Sequence, residues 1–93
     1  MEDKFVDAWF AARQQAESLG VKFRPMERET AMREAHKALS GHRDSDGFSQ
    51  LQRKNRLDLS LEALSVKKQF TALFDDEEAN TALMRLTDAG YQF

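Results

Sequence analysis

Apolar residues recur along this chain at helical intervals, broken by short polar connectors. Phe5, Ala8, Trp9, Ala12, Ala16 and Leu19 share one face at spacings of three and four, and Gly20 follows as a left-handed C-terminal cap. After the connector VKFR, Pro25 suits a first helical position, Met32, Ala35 and Leu39 make a narrower stripe, and Gly41 closes a second predicted helix. Phe48 and Leu51 open a third stretch that is expected to run on through the polar segment QRKNR.

The next segment, LDLSLEALSVKKQFTALF, carries two signals at once. Leu57, Leu59 and Leu61 alternate as in a strand, whereas Leu61, Leu64, Phe70, Leu73 and Phe74 fit helices. A bend followed by a short helix is expected, with Asp58 or Ser60 as its N-cap. In the last element Asp75 caps, Glu78 completes a capping-box pattern, Ala79, Ala82, Leu83 and Leu86 share a face, and Gly90 ends the helix.

With one proline and abundant Ala, Leu, Glu, Arg, Gln and Lys, local preference favours helix nearly throughout. The expected fold is all-α, a compact small bundle of about four to five helices forming a single domain over residues 1–93. Cysteine is absent, which removes disulfides, thiolate metal sites and cysteine nucleophiles together. The apolar runs are short and the N-terminal segment MEDKFVDAWF carries acids where a secretory signal would carry lysines, so a cytoplasmic protein without a membrane partner is expected.

Net charge is −2, which names no polyanionic partner, but the charge is unevenly spread. Residues 1–40 hold seven bases and seven acids, residues 41–70 six and four, and residues 71–93 one and five. The middle is therefore mildly basic and the end acidic.

The densest cluster of chemically capable side chains is SGHRDSDGF, residues 40–48. Aligned as a calcium loop on Gly47, it places His42 and Arg53 where carboxylates are needed, and the match fails. The H-R-D letters also begin a kinase catalytic loop, but the metal-binding asparagine is Ser49 here. A transition-metal site from His36, His42, Asp44 and Asp46 lacks any paired spacing such as H-E-x-x-H. Aspartate, serine and glycine after a helix are turn and N-cap material, so the cluster reads as a loop, with no metal and no cofactor assigned. The acidic run DDEE at 75–78 complements a helix dipole, and no nucleophile or phosphate-cradling motif is present, so a non-enzymatic protein is expected.

Two classes of partner remain. Nine aromatics are generous for so small a core, and Phe10 falls off the stripe set by Phe5 and Trp9. Phe10, Phe23, Tyr91 and Phe93 are accordingly the expected surface of a protein-interaction or regulatory module, with a second copy of the chain as one form of partner. The alternative is a helix-turn-helix-like nucleic-acid binder, in which Arg53, Lys54, Arg56, Lys67 and Lys68 contact phosphates and Gln50, Gln52 and Asn55 supply base-reading amides.

Overall fold

The computed structural model describes residues 2–92. Helix α1 spans Glu2–Ser18, with Glu2 and Asp3 in the first turn, where their charge complements the helix dipole. Phe5, Val6, Trp9, Ala12 and Ala16 are its buried face. Gly20 and Val21 end it as a Schellman turn, the Val21 N–H donating to the Ala16 carbonyl and the Gly20 N–H to that of Glu17. This turn aims Val21 at the core over Ala16, and Leu19, expected on the buried stripe, stays exposed.

Residues 21–27 form a connector that is neither helix nor strand, so the second helix does not begin at Pro25. Side chains of Gln50, Asp46 and Arg13 take up the backbone groups of Lys22 and Arg24, Glu27 is extended, and the chain turns helical only through a 3₁₀ turn at Arg28–Thr30. Helix α2 then spans Ala31–Ser40 and buries Ala31, Ala35 and Leu39. Gly41 caps it in extended rather than left-handed backbone.

Helix α3 is short, Phe48–Arg53, and buries Phe48 and Leu51. It stops before Lys54 and Arg56, because Asn55 takes a left-handed conformation at φ 58° and the Arg56 N–H donates back to the Leu51 carbonyl. Asparagine tolerates this geometry better than most residues, its short amide bonding locally. A 3₁₀ turn at Leu57–Leu59 follows, and Ser60 caps α4, Leu61–Ser65, by accepting from the Ala63 N–H. A longer 3₁₀ segment, Lys68–Leu73, leads to α5, Asp76–Asp88. There the Asp75 carboxylate accepts from the Glu78 N–H and the Glu78 carboxylate from the Asp75 N–H, a complete capping box.

Helix α5 packs on α2 and α4, and α1 lies across α4, α2 and the Leu57–Leu59 turn. The principal axes measure 29 × 28 × 23 Å. The centre of the core is aromatic: the fully buried Phe5 ring meets Phe70 and Phe74 edge-on at 5.2 Å each and Trp9 at 6.0 Å. Such pairs contribute about 0.5–1.5 kcal/mol each beyond their buried area. Leu83 lies at the edge of the α5 stripe set by Glu78, Ala82 and Leu86, and with Met84 it remains exposed. The fold is all-α, and among the described residues no helix is long and apolar enough to cross a membrane.

Candidate functional site

The connector at 21–27 lacks helix or strand partners for its backbone, and side chains from elsewhere supply them. Gln50 accepts from the Lys22 N–H and donates to the Lys22 carbonyl, both at 3.1 Å. Asp46 accepts from the Arg24 N–H at 2.8 Å, and Arg13 donates to the Arg24 carbonyl. Together they pin the connector away from α2 and leave a groove between them.

Residues 41–47 make the opposite wall, and a buried charge holds them. Glu62, which has 0 % exposure, accepts from the Ser45 N–H at 3.0 Å, from the Ser45 hydroxyl at 2.5 Å and from Arg85 Nη1 at 3.0 Å. Arg85 in turn donates to the Gly41 carbonyl at 3.1 Å and lies 3.9 Å from Asp44. SGHRDSDGF is therefore a loop folded over a satisfied ion pair. Gly47 completes it at φ 80°, where a Cβ would also run into the Phe23 ring. Sequence reasoning missed Glu62 and Arg85. The available signal was positional, since Glu62 interrupts the apolar run Leu61–Leu64 and Arg85 is the one base among residues 71–93, beside the buried Leu86.

The groove so enclosed has a volume of about 770 Å³, within the roughly 300–1,000 Å³ usual for binding clefts. Trp9, Met26, Ala38 and Leu61 give it apolar surface, and charges of both signs line the rest. A second, smaller groove of about 450 Å³ adjoins it, shares Arg13, Arg24, Pro25 and Met26 with it, and is lined by Phe10 and Phe23. Both aromatics are half-buried, packed against the core on one side. The Arg13 guanidinium covers the Phe23 ring at 4.6 Å from its centroid. Burial pulls the Arg13 pKa below the usual arginine value, with Asp46 and then Glu17 opposing that shift.

Of the four aromatics expected at a partner surface, the structure thus brings Phe10 and Phe23 to one groove. Tyr91 lines neither groove. It closes the Schellman turn of α5, donating its N–H to the Leu86 carbonyl, and packs half-buried against the core. Phe93 lies outside the described residues.

The basic stretch is rearranged relative to expectation. Arg53 ends α3, Lys54 caps it, and Arg56 lies beyond the left-handed Asn55, so the three do not share a helix face. Arg56 grips Asp58 with two hydrogen bonds, at 3.0 and 3.1 Å, which raise its pKa and hold the Asp58 carboxyl below its usual range. Lys67 also helps to lower Asp58. Two of the three amides are committed, Gln50 to Lys22 and Gln52 to the Ala89 carbonyl, while Asn55 is exposed in its left-handed turn. Arg53, Lys54, Lys67 and Lys68 are exposed.

His36 and Glu78 are joined to each other and to the fold. Glu78 spends one oxygen on the Asp75 N–H and the other on His36 Nδ1 at 2.5 Å, and the His36 ring packs on Phe74. Among the described residues no group of three or more His, Asp or Glu is placed to hold a metal ion. No family model, curated protein or solved structure matches this chain.

Proposed function

We propose that the protein is a non-enzymatic interaction module that takes a segment of a protein partner into the groove between α1, the 21–27 connector, α2 and the 41–47 loop. The observation that carries this reading is the continuity of the two depressions, which share Arg13 and Met26, with Phe10 and Phe23 at one end and Trp9 and Ala38 at the other. Half-buried aromatics beside a cleft are the side chains that anchor protein interfaces. The buried carboxylates support the non-enzymatic part, since Glu62 and Glu78 are both engaged in hydrogen bonds that hold the fold. A second copy of the chain is one form the partner takes in this reading, with the exposed Leu83 and Met84 adding apolar surface on α5.

Affinity capture from native lysate, with and without nuclease and across a salt series, tests it. The expected result is a discrete protein that survives nuclease and moderate salt and is lost in Phe10→Ala and Phe23→Ala variants that still melt cooperatively. Capture unchanged in both variants would remove this surface. The alternative, nucleic-acid binding, keeps some support from the exposed Arg53, Lys54, Lys67 and Lys68, which make no ion pair among the described residues. With Gln50 and Gln52 committed to backbone, it would be binding chiefly through phosphates, steeply salt-dependent and weak in sequence preference.

A further inference from the structure

A guanidinium carries five N–H donors in a rigid fork that matches a carboxylate. Arg85 spends its fork on Glu62 and Gly41, Arg56 on Asp58, and Arg28 on Asp7. Arg13 does not. It gives one hydrogen bond to the Arg24 carbonyl, lays its face on Phe23, and makes no ion pair among the described residues. It is half-buried, and loss of solvent already weighs against its charge. The acid whose charge opposes that most, Asp46, is tied to the Arg24 N–H.

The position of Arg13 matters as much as its spare donors. It lines both grooves and stands with Met26 where they meet, Trp9 lying on one side and Phe10 and Phe23 on the other. Along the larger groove, Asp44 and Asp46 already have cationic neighbours, whereas Lys37 and Arg43 have no acidic partner among the described residues. Glu27 and Glu34 line the same groove, have no cationic partner among the described residues, and disfavour an acid beside them. Lys37 and Arg43 are exposed, so a carboxylate beside either gains only a screened contact, whereas the half-buried Arg13 is the point at which it gains most.

We propose that the groove takes an extended peptide segment of a protein partner, anchored by a single Asp or Glu carboxylate on the Arg13 guanidinium, with apolar residues on both sides of that acid. This rests on the reading of the groove as a protein-binding surface. A desolvated guanidinium paired with a carboxylate makes two charge-assisted hydrogen bonds, so one acid in the segment fixes its register.

The test is selection of random dodecapeptides displayed on phage against the intact chain, followed by titration of the selected synthetic peptides into isotopically labelled protein. The expected peptides share one Asp or Glu flanked by apolar residues and shift the backbone amides of Trp9, Met26 and Ala38. Replacing that acid by its amide, or Arg13→Gln in the protein, lowers affinity about tenfold or more, and Arg13→Lys restores part of it. The swap on the peptide leaves the protein untouched, so the result stands even if Arg13→Gln disturbs the fold. Peptides that shift the groove amides but share no acid, or are indifferent to its amide, overturn the Arg13 anchor and leave the groove reading in place. Peptides that bind elsewhere, or a selection that yields none, overturn both. A single-stranded oligonucleotide that shifts the same amides at lower concentration than any selected peptide assigns Arg13 to phosphate and overturns the peptide occupant.

Discussion

Glu62 with Arg85 and Asp58 with Arg56 make carboxylate–guanidinium contacts of the same 3.0 Å length, in two very different regions. The first pair lies between α4 and α5 with Glu62 fully buried, and the same carboxylate also receives two hydrogen bonds from Ser45. The second lies two residues apart on the surface after α3, with half of the Asp58 side chain open to solvent. Distance alone would rank them equal. Burial separates them, because a charge without water depends entirely on its protein partners, while an exposed pair exchanges one set of good contacts for another.

The sharpest way to break this comparison is Glu62→Ala. It leaves Arg85 largely buried without its carboxylate and the Ser45 N–H without an acceptor, and a cost of about 3–5 kcal/mol is expected. For a chain of this size that is a large fraction of a total of about 5–15 kcal/mol. Urea denaturation measures it, and the 41–47 wall of the groove should lose amide-exchange protection with it. Replacing both partners, as in Glu62→Leu with Arg85→Met, should recover much of the loss, because no buried charge is then left alone. A loss below about 1 kcal/mol for Glu62→Ala would put the buried pair in the same class as the surface one.

The two regions also differ in how far the sequence announces them. Local chemistry was legible: the Asp75–Glu78 capping box, the Ser60 cap, and the glycine-ended α1 and α5 all appear where their residues imply. Each depends on groups within about one helical turn or two. Gln50 and Gln52, by contrast, looked like exposed recognition amides and prove to serve backbone at Lys22 and Ala89, 28 and 37 residues away in sequence. Glu62 and Arg85 are 23 residues apart. No periodicity records such pairings, because they arise only when helices from distant parts of the chain are packed together. The groove was half legible for the same reason. Phe10, off the α1 stripe, and Phe23, in the connector VKFR, both belong to the expected partner surface, but nothing local shows that Gln50, Asp46 and Arg13 hold that connector or that it runs on past Pro25.

Ser45→Ala sharpens the contrast at an intermediate scale. It removes the hydroxyl donor to Glu62 but keeps the Ser45 N–H and Arg85, so the carboxylate retains two of its three donors. A cost of about 1–3 kcal/mol is expected, the usual range for a hydrogen bond to a charged group. Thermal melts would show a smaller fall than for Glu62→Ala. An equal fall would mean that the network has no redundancy and acts as one unit.

The surface pair gives the smallest effect and the one with a pH signature. The Arg56 hydrogen bonds hold the Asp58 carboxyl below its ordinary value of 3.8. A depressed folded-state pKa means that the unfolded chain binds the proton more readily, so the stability it confers is fully present above about pH 4 and is lost as pH falls through the folded value. The Arg56→Gln variant should therefore melt slightly below the parent chain at neutral pH, and the two curves should converge in strong acid. Because both side chains face water, added salt should shrink the neutral-pH gap, whereas the gap opened by Glu62→Ala should barely respond. If salt reduces both gaps in proportion, the interior of α4 and α5 is wetter than its packing implies, and burial is no longer what separates the two pairs.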